Sequence, residues 1–383
     1  MGKSSKMKNV KTLLILSLFA LNGLFAQTVF EQDAYFSNLN SFQFFNKEIA
    51  SLPFINIPYQ WNDQQFHLRW NTRLYHGEHW AAKMSLRNRI FTGYSWEENL
   101  FLFKDALEVD VLDLTSINED KIGLQHQIDR LYVQWEKGNW NVRLGRQRIN
   151  WGIQNYWNSH DLFNQINFFD FDYIERPGSD ALRIQYYGKG NTSTEFAVNE
   201  NIQAGLYRFN AWDYDFQTLL AKYYNDYVLG FGWAGQIKEA GFKGEFAYFI
   251  NSESQVKELV GSIGMDYSLQ NGIYFSSGCL YRSQADDFNP FALINQDISA
   301  KKPMPFTYNF LHQINYPIHP LVLVGMSLIH NEELDFIFIN PMLTYSVSES
   351  IDLMISSQNM WMWSNDTYED LTQTIFTRLQ WTF

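Results

Sequence analysis

The chain has one cysteine, Cys279, in 383 residues, so neither an intramolecular disulfide nor a thiolate zinc cluster can form. Beyond residue 26 it has no uninterrupted apolar run of the roughly 18 residues that a helix needs to cross a bilayer. Charged residues make up only 18%, and the formal net charge of −12 argues against nucleic acid as a partner. There is no G-x-S-x-G elbow and no phosphate-binding glycine loop. His76-Gly-Glu-His79 brings two imidazoles together without a third ligand, and Ser159, His160 and Asp161, as chain neighbours on a loop, point apart instead of forming a triad. No cofactor, metal site or catalytic residue is expected.

What is present begins with a basic, then apolar, N-terminus. Lys3, Lys6, Lys8 and Lys11 precede the apolar stretch Leu13–Phe25, and the small Ala26 precedes Gln27. That pattern is an export signal covering 1–26, and residues 27–383 are expected to form one domain. Aromatic residues reach 17%, with 13 tryptophans, while mean hydropathy is only −0.30. Many aromatics on a chain that is not apolar on average fit alternating strands with aromatic girdles.

The last twelve residues carry that alternation to the chain end. Ile375, Leu379, Trp381 and Phe383 share one face, against Thr374, Arg378, Gln380 and Thr382 on the other. The same period of two recurs in Leu68, Trp70, Thr72 and Leu74, in Ala82, Met84, Leu86 and Ile90, and in Leu131, Val133 and Trp135. It returns in Leu182, Ile184 and Tyr186, and in Tyr227, Leu229, Phe231 and Trp233 against Val228, Gly230, Gly232 and Ala234. One such segment also fits a soluble sandwich; its repetition along the chain predicts a transmembrane antiparallel β-barrel.

Turn signals sit at Gly138–Asn139, Gly188–Gly190, Asn225–Asp226, Gln270–Gly272 and Ser348–Ser350, and longer connections near 96–124, 150–178, 284–303 and 364–371. A last strand ending on the short-turn side places those long connections on the opposite side if strands near 33–45 and 203–211 are counted. The count is 18, with 16 the near alternative. A barrel of that girth leaves room for a lumen.

Alternation turns Arg69, Arg73, Arg87, Arg89, Arg130, Arg143 and Arg183 inward, with Lys83 and His67. Two readings stay open: ordinary solvated lumen residues, or a basic wall that focuses a positive potential on anions. The second concentration of chemistry is the stretch from Leu144 to Asp180. It carries Arg146, Arg148, Trp151, Trp157, Asp161, Asp170, Asp172, Glu175 and Arg176. Folded inward, this long loop narrows the barrel; alternatively its arginines satisfy its own carboxylates as a plug-like fold. Along 139–150, Trp140, Val142 and Leu144 share an apolar face that Arg146 and Arg148 would continue. Either a bulge at Gly145 rotates them inward or the strand has risen beyond the membrane there.

The run G-R-Q-R-I-N-W-G at Gly145–Gly152 and E-R-P-G-S-D-A-L-R at Glu175–Arg183 resemble a broad family of porin-like bacterial outer-membrane proteins related to alginate-export-type barrels. R-N-R-I-F at 87–91, I-D-R-L-Y at 128–132 and Y-R-F-N at 207–210 extend the likeness in order. The resemblance implies a pore in the outer membrane without naming its cargo, and the chain is shorter than typical alginate-export barrels. The terminal Phe383 resembles the aromatic signal read by the barrel assembly machinery. Expected partners are therefore that machinery, outer-membrane lipid and lipopolysaccharide, and a small polar or anionic solute. An outer-membrane hydrolase and a non-conducting adhesin or assembly scaffold remain as alternatives, and the oligomeric state is left open.

Overall fold

The computed structural model describes residues 28–46, 58–98, 114–119, 122–164, 178–285, 298–364 and 366–383. The strands run β1 (Thr28–Phe45), β2 (Gln60–His76), β3 (Trp80–Gly93), β4 (Leu114–Glu119), β5 (Ile122–Lys137), β6 (Trp140–Gln147), β7 (Ser179–Tyr187), β8 (Ser193–Val198) and β9 (Ile202–Ala211). They continue as β10 (Tyr214–Tyr223), β11 (Asp226–Ile237), β12 (Ala240–Asn251), β13 (Lys257–Ser268) and β14 (Tyr274–Arg282). The last five are β15 (Tyr308–His319), β16 (Val322–Asn331), β17 (Phe336–Ser348), β18 (Ile351–Ser364) and β19 (Thr367–Thr382). One helical turn, α1 (Tyr94–Glu97), follows β3.

Every strand is antiparallel to its neighbours, and the sheet closes because β1 pairs with both β2 and β19. Among the described residues the sheet holds 19 strands, and β4 is paired with β5 alone while β3 bypasses it to pair with β5 directly. Eighteen strands therefore make the wall. The expected strands near 33–45 and 203–211 are β1 and β9. The connection expected at 364–371 is a correction: β18 and β19 run through it, leaving two residues between them. Trp361 to Ser364 face Asp370 to Thr367 as a regular ladder where a loop was expected.

Alternation sorts the side chains. On β2, Trp61, Asp63, Gln65, His67, Arg69 and Asn71 are buried within the barrel, while Leu68 and Trp70 are exposed on its outer face. Phe42, Ile90, Leu131, Leu229, Ile263, Met326, Ile355 and Leu379 are likewise exposed. A wall that hides its arginines and shows its leucines is inverted relative to a soluble protein and suits a lipid surround. Aromatics gather at the short-turn rim, where Trp140 lies tilted against Tyr186 (4.7 Å between centroids) and Trp381 against Phe383 (4.9 Å). Among the described residues no helix is long and apolar enough to cross a membrane.

Gly145 resolves the open register question. Its φ of +118° belongs to glycine, and the pairing of β6 with β5 and β7 runs through it without a shift. Of the two arginines only Arg146 is turned inward, by backbone torsion and not by an inserted residue: Leu144 and Arg148 are exposed and Arg146 is buried. A β-carbon at 145 would lie 2.3 Å from the Leu131 carbonyl oxygen. Gly145→Ala should therefore lose about 1–3 kcal/mol of folded-state stability. Gly205→Ala, whose β-carbon would meet nothing closer than 4.0 Å, should be neutral; urea midpoints in micelles compare the two.

Candidate functional site

The basic wall starts with an electrostatic problem. Pairing of β2 with β3 sets Arg69 directly opposite Arg87 and His67 opposite Arg89, all pointing into the barrel. Like charges opposed across two strands repel, so a counter-charge is required. It comes from β5, where the register with β3 shifts: Arg130 faces Ser85, but Ile128 faces Leu86, leaving Asp129 as the extra residue. This bulge turns both Asp129 and Arg130 inward. One oxygen of Asp129 then accepts from Arg69 Nη1 and from Arg87 Nε (2.9 Å) and Nη2 (2.6 Å). Arg130 Nη1 donates to the carbonyl of Asp129 at 2.6 Å.

Arg146 extends the cluster onto β6. Its Nε and Nη2 form a two-pronged pair with Asp180, both bonds 2.8 Å, and its Nη1 donates to the Ile128 carbonyl at 3.1 Å. Arg69, Arg87, Arg89, Arg130 and Arg146 are all buried. Arg69, Arg87, Arg89 and Arg130 lie on the inner face, and Arg69, Arg87, Arg130 and Arg146 pack around Asp129 and Asp180 instead of forming a solvated lining. Uniform alternation would have sent Asp129 to the lipid face. The signal available in the sequence was the cost of that placement, since a carboxylate in an apolar outward row calls for a bulge.

Nearer the short turns the wall is open to water. Arg73 is 38% exposed beside Glu31 and Asp33. Arg143 is partly exposed, lies over the Tyr132 ring and donates to Gln134 at 2.7 Å. Arg183 makes a two-pronged pair with buried Glu195 (2.6 and 2.8 Å), and Arg208 approaches the same carboxylate at 3.7 Å. Arg208 was not singled out in the sequence, although it lies in the Y-R-F-N stretch. Lys243, Asp266 and Asp352 are also partly exposed, so solvent reaches the interior from the short-turn rim.

The long connection after β6 folds into the barrel over its described part, 148–164. Ile149, Trp151, Trp157 and Leu162 are buried in one apolar cluster with Ala197, Ala204, Leu206, Leu219, Val228 and Ala247 of the wall. Small residues make the seat: a β-carbon at Gly230 would sit 2.6 Å from His160 Nε2. Two wall carboxylates hold the loop backbone and its ring N–H. Glu245 accepts from the backbone N–H of Ile153 (2.7 Å) and His160 (3.1 Å), and Glu195 accepts from Trp151 Nε1. Ser262 Oγ donates to the Trp157 carbonyl at 2.8 Å, and Tyr156 bonds to Ser276 and Gln313.

Asp161, expected to oppose the arginines, has one carboxylate oxygen accepting the N–H groups of Trp151 and Gly152, both 2.7 Å, and is buried. Arg148 is exposed and donates to Asn150. Asp170, Asp172, Glu175 and Arg176 lie outside the described residues. Ser159 and His160 do not face one another as a pair. His160 Nδ1 lies 2.6 Å from the Gln217 amide and Nε2 lies 3.0 Å from the Phe246 carbonyl, while Ser159 Oγ donates toward Glu245 at 3.5 Å. The Gln217 amide nitrogen also donates to the Trp151 carbonyl, so it offers His160 a donor. The imidazole is therefore neutral, with its proton on Nε2. Burial holds its pKa down at about 4 against the ordinary 6.5, the Phe246 carbonyl opposing that shift and Arg208 adding to it.

A second inward segment was not foreseen. Within the 284–303 connection and just beyond it, Ala300 and Met304 are buried against Phe336 and Phe338 in the same apolar cluster. Lys301 Nζ bonds Asp226 at 2.7 Å, and Arg282, paired with Glu258, donates to the Met304 carbonyl at 2.5 Å. Among the described residues no group of three or more His, Cys, Asp or Glu is placed to hold a metal ion.

A family model described as "Protein of unknown function (DUF1302)" matches residues 46–221, less than half of the chain. No curated protein matches. Among solved structures the chain is similar to Pseudomonas aeruginosa OpdQ at a TM-score of 0.58 and 9% identity, covering 92% of this chain and 98% of that one. It is similar to Pseudomonas aeruginosa OpdK with vanillate at 0.58 and 7%, with the same coverage, and to Acinetobacter baumannii OccAB4 at 0.56 and 7%, covering 94% and 99%. These likenesses establish an outer-membrane porin-like barrel fold. The alginate-export relation expected from the sequence is not among what they support.

Two outcomes follow from the geometry. Removing the counter-charge with Asp129→Ala should cost about 3–5 kcal/mol in urea unfolding, because buried guanidiniums are left uncompensated. Adding Arg69→Met and Arg87→Met should restore part of it. For the loop, the freed imidazole binds a proton below pH 6.5, whereas the docked one resists until about 4. The imidazole's own contribution to docking is therefore fully present above pH 6.5 and is lost as pH falls from there toward 4. Acrylamide quenching of Trp151 and Trp157, read against a Trp151→Phe/Trp157→Phe chain, should rise more between pH 6.5 and 4 in the native chain than in His160→Gln, the difference being the imidazole's share.

Proposed function

We propose that the protein is an outer-membrane channel for passive diffusion of small polar or anionic solutes, exported by a signal at 1–26 and narrowed by the loop that follows β6. The observation that carries this reading is a closed wall, apolar outside and arginine-rich inside, with a loop seated in its lumen. Outside, the exposed Leu, Ile and Phe side chains suit lipid; inside, the guanidiniums on β2, β3, β5, β6, β7 and β9 give one side a positive potential that favours anions. A neighbour in fold, OpdK, has been solved with vanillate, an aromatic acid, which accords with an anionic cargo here.

The role of the loop follows from its anchoring. Two buried tryptophans and a carboxylate socket make 148–164 a fixed part of the lumen instead of a loose strap, so it sets the free cross-section. The buried state of Arg69, Arg87, Arg89, Arg130 and Arg146 favours a second reading within the same class, a channel whose long-loop half is closed at rest and opens when this packing yields. The exposed Phe383, whose backbone exchanges both hydrogen bonds with Ala34, completes the wall and serves as the assembly signal.

Planar-bilayer recording tests the proposal. The refolded chain should conduct in small, anion-preferring steps, and deleting 153–159 should raise the conductance several-fold. Absence of conductance in both would reject a channel, and equal conductance in both would reject the loop as the constriction.

A further inference from the structure

A polar side chain that faces hydrocarbon costs free energy unless it is hydrogen-bonded, so the outer face of a membrane barrel runs apolar. On β11 and β12 it does, with Tyr227, Leu229, Phe231 and Trp233, then Phe242, Phe246 and Tyr248, pointing outward. The seam where the barrel closes is different. Along β1 the outward residues are Phe36, Asn38, Asn40, Phe42 and Phe44. Two amides interrupt a row of phenylalanines that are all exposed.

Register carries the interruption sideways. Asn40 faces Thr377 on β19 and Gln64 on β2, and Gln64 faces Thr92 on β3. One polar row thus crosses four successive strands. Beside it, Asn88 of β3 faces His126 of β5. These positions lie inside the apolar band. β19 runs from Tyr368, whose ring meets Trp363 at 4.9 Å, to Trp381, whose ring meets Phe383 at 4.9 Å. Thr377 falls between those two aromatic ends, with exposed Ile375 and Leu379 on either side, and Asn40 is its neighbour. Asn88 sits likewise between Leu86 and the exposed Ile90.

These groups satisfy one another only in part. Asn40 Nδ2 donates to Asn38 Oδ1 at 2.9 Å, and His126 Nδ1 lies 2.6 Å from Asn88 Oδ1. Asn38 Nδ2 has no acceptor among the described residues. We infer that this face, centred on Asn38 and Asn40, is where two copies of the chain associate in the membrane, about a two-fold axis that runs along the membrane normal past β1. An amide carries donors and an acceptor without net charge, so its complement in hydrocarbon is another amide at the same depth. A second copy inserted the same way round supplies that by symmetry, because a two-fold interface sets one patch against itself. The phenylalanines above and below the amides complete the contact and keep lipid from them. The pairing does not depend on what the barrel conducts.

Native mass spectrometry of the full chain, extracted from outer membranes into lipid nanodiscs, should show two copies. Asn40→Leu/Gln64→Leu should weaken the association tenfold or more, whereas Thr218→Leu, exposed on the far wall, should leave it unchanged. Leucine is what much of the outer wall already carries, and heat-sensitive gel mobility checks that the variants fold. Cross-linking locates the contact without removing the row. In a Cys279→Ser chain, Asn40→Cys should form a covalent pair under mild oxidation and Thr218→Cys should not. A single copy in nanodiscs, three copies in place of two, or undiminished association in the folded leucine variant overturns the pairing. So does cross-linking of Asn40→Cys to a different polypeptide.

Discussion

Closure of the ladder is the constraint on which everything else depends. In hydrocarbon a strand with an open edge leaves a row of N–H and C=O groups with no partner, at several kcal/mol each. Here β1 satisfies both β2 and β19, and the final residue itself pairs with Ala34. With the backbone satisfied inside the wall, side chains are free to divide by face. Leucine and phenylalanine meet lipid on one side, and charged groups can gather on the other without paying for solvation by the bilayer.

Gathering charge creates its own demand, and three buried carboxylates meet it in three ways. Asp129 compensates opposed arginines on β2 and β3, and needs a bulge to reach them. Glu195 ties Arg183 and Arg208 to the loop through Trp151. Glu245 serves no arginine in the described structure; it collects backbone N–H groups of the loop. The interior is thus organised by acceptors on the wall, each placed where donors converge, and the loop docks as one more set of donors. Its apolar face completes the seat, because small residues on β8 to β12 leave the room that Trp151, Trp157 and His160 fill.

The barrel was legible in the sequence because its cause is local. Period-two alternation needs only neighbouring residues, and the even count followed from where the long connections had to lie. The inward set Arg69, Arg87, Arg89, Arg130, Arg143 and Arg183 was legible for the same reason. What alternation missed were its interruptions. Asp129 reads as outward until the extra residue is recognised, and the small face Val228, Gly230, Gly232 and Ala234 was visible without any hint of what it receives. The inward segment around Lys301 carried no periodic signal at all, and its polar lysines read as an exposed loop.

By itself, then, the sequence determined the strand periodicity and which residues share a face, since both rest on residues one or two positions apart, and the eighteen-strand ring followed from the order of strands and connections. Only the tertiary structure decided which of the inward charges are spent on one another and which still face water. That outcome depends on pairs such as Arg69 with Asp129 and Trp151 with Glu195, brought together across strands by register and by a single bulge, and no local pattern records such distances.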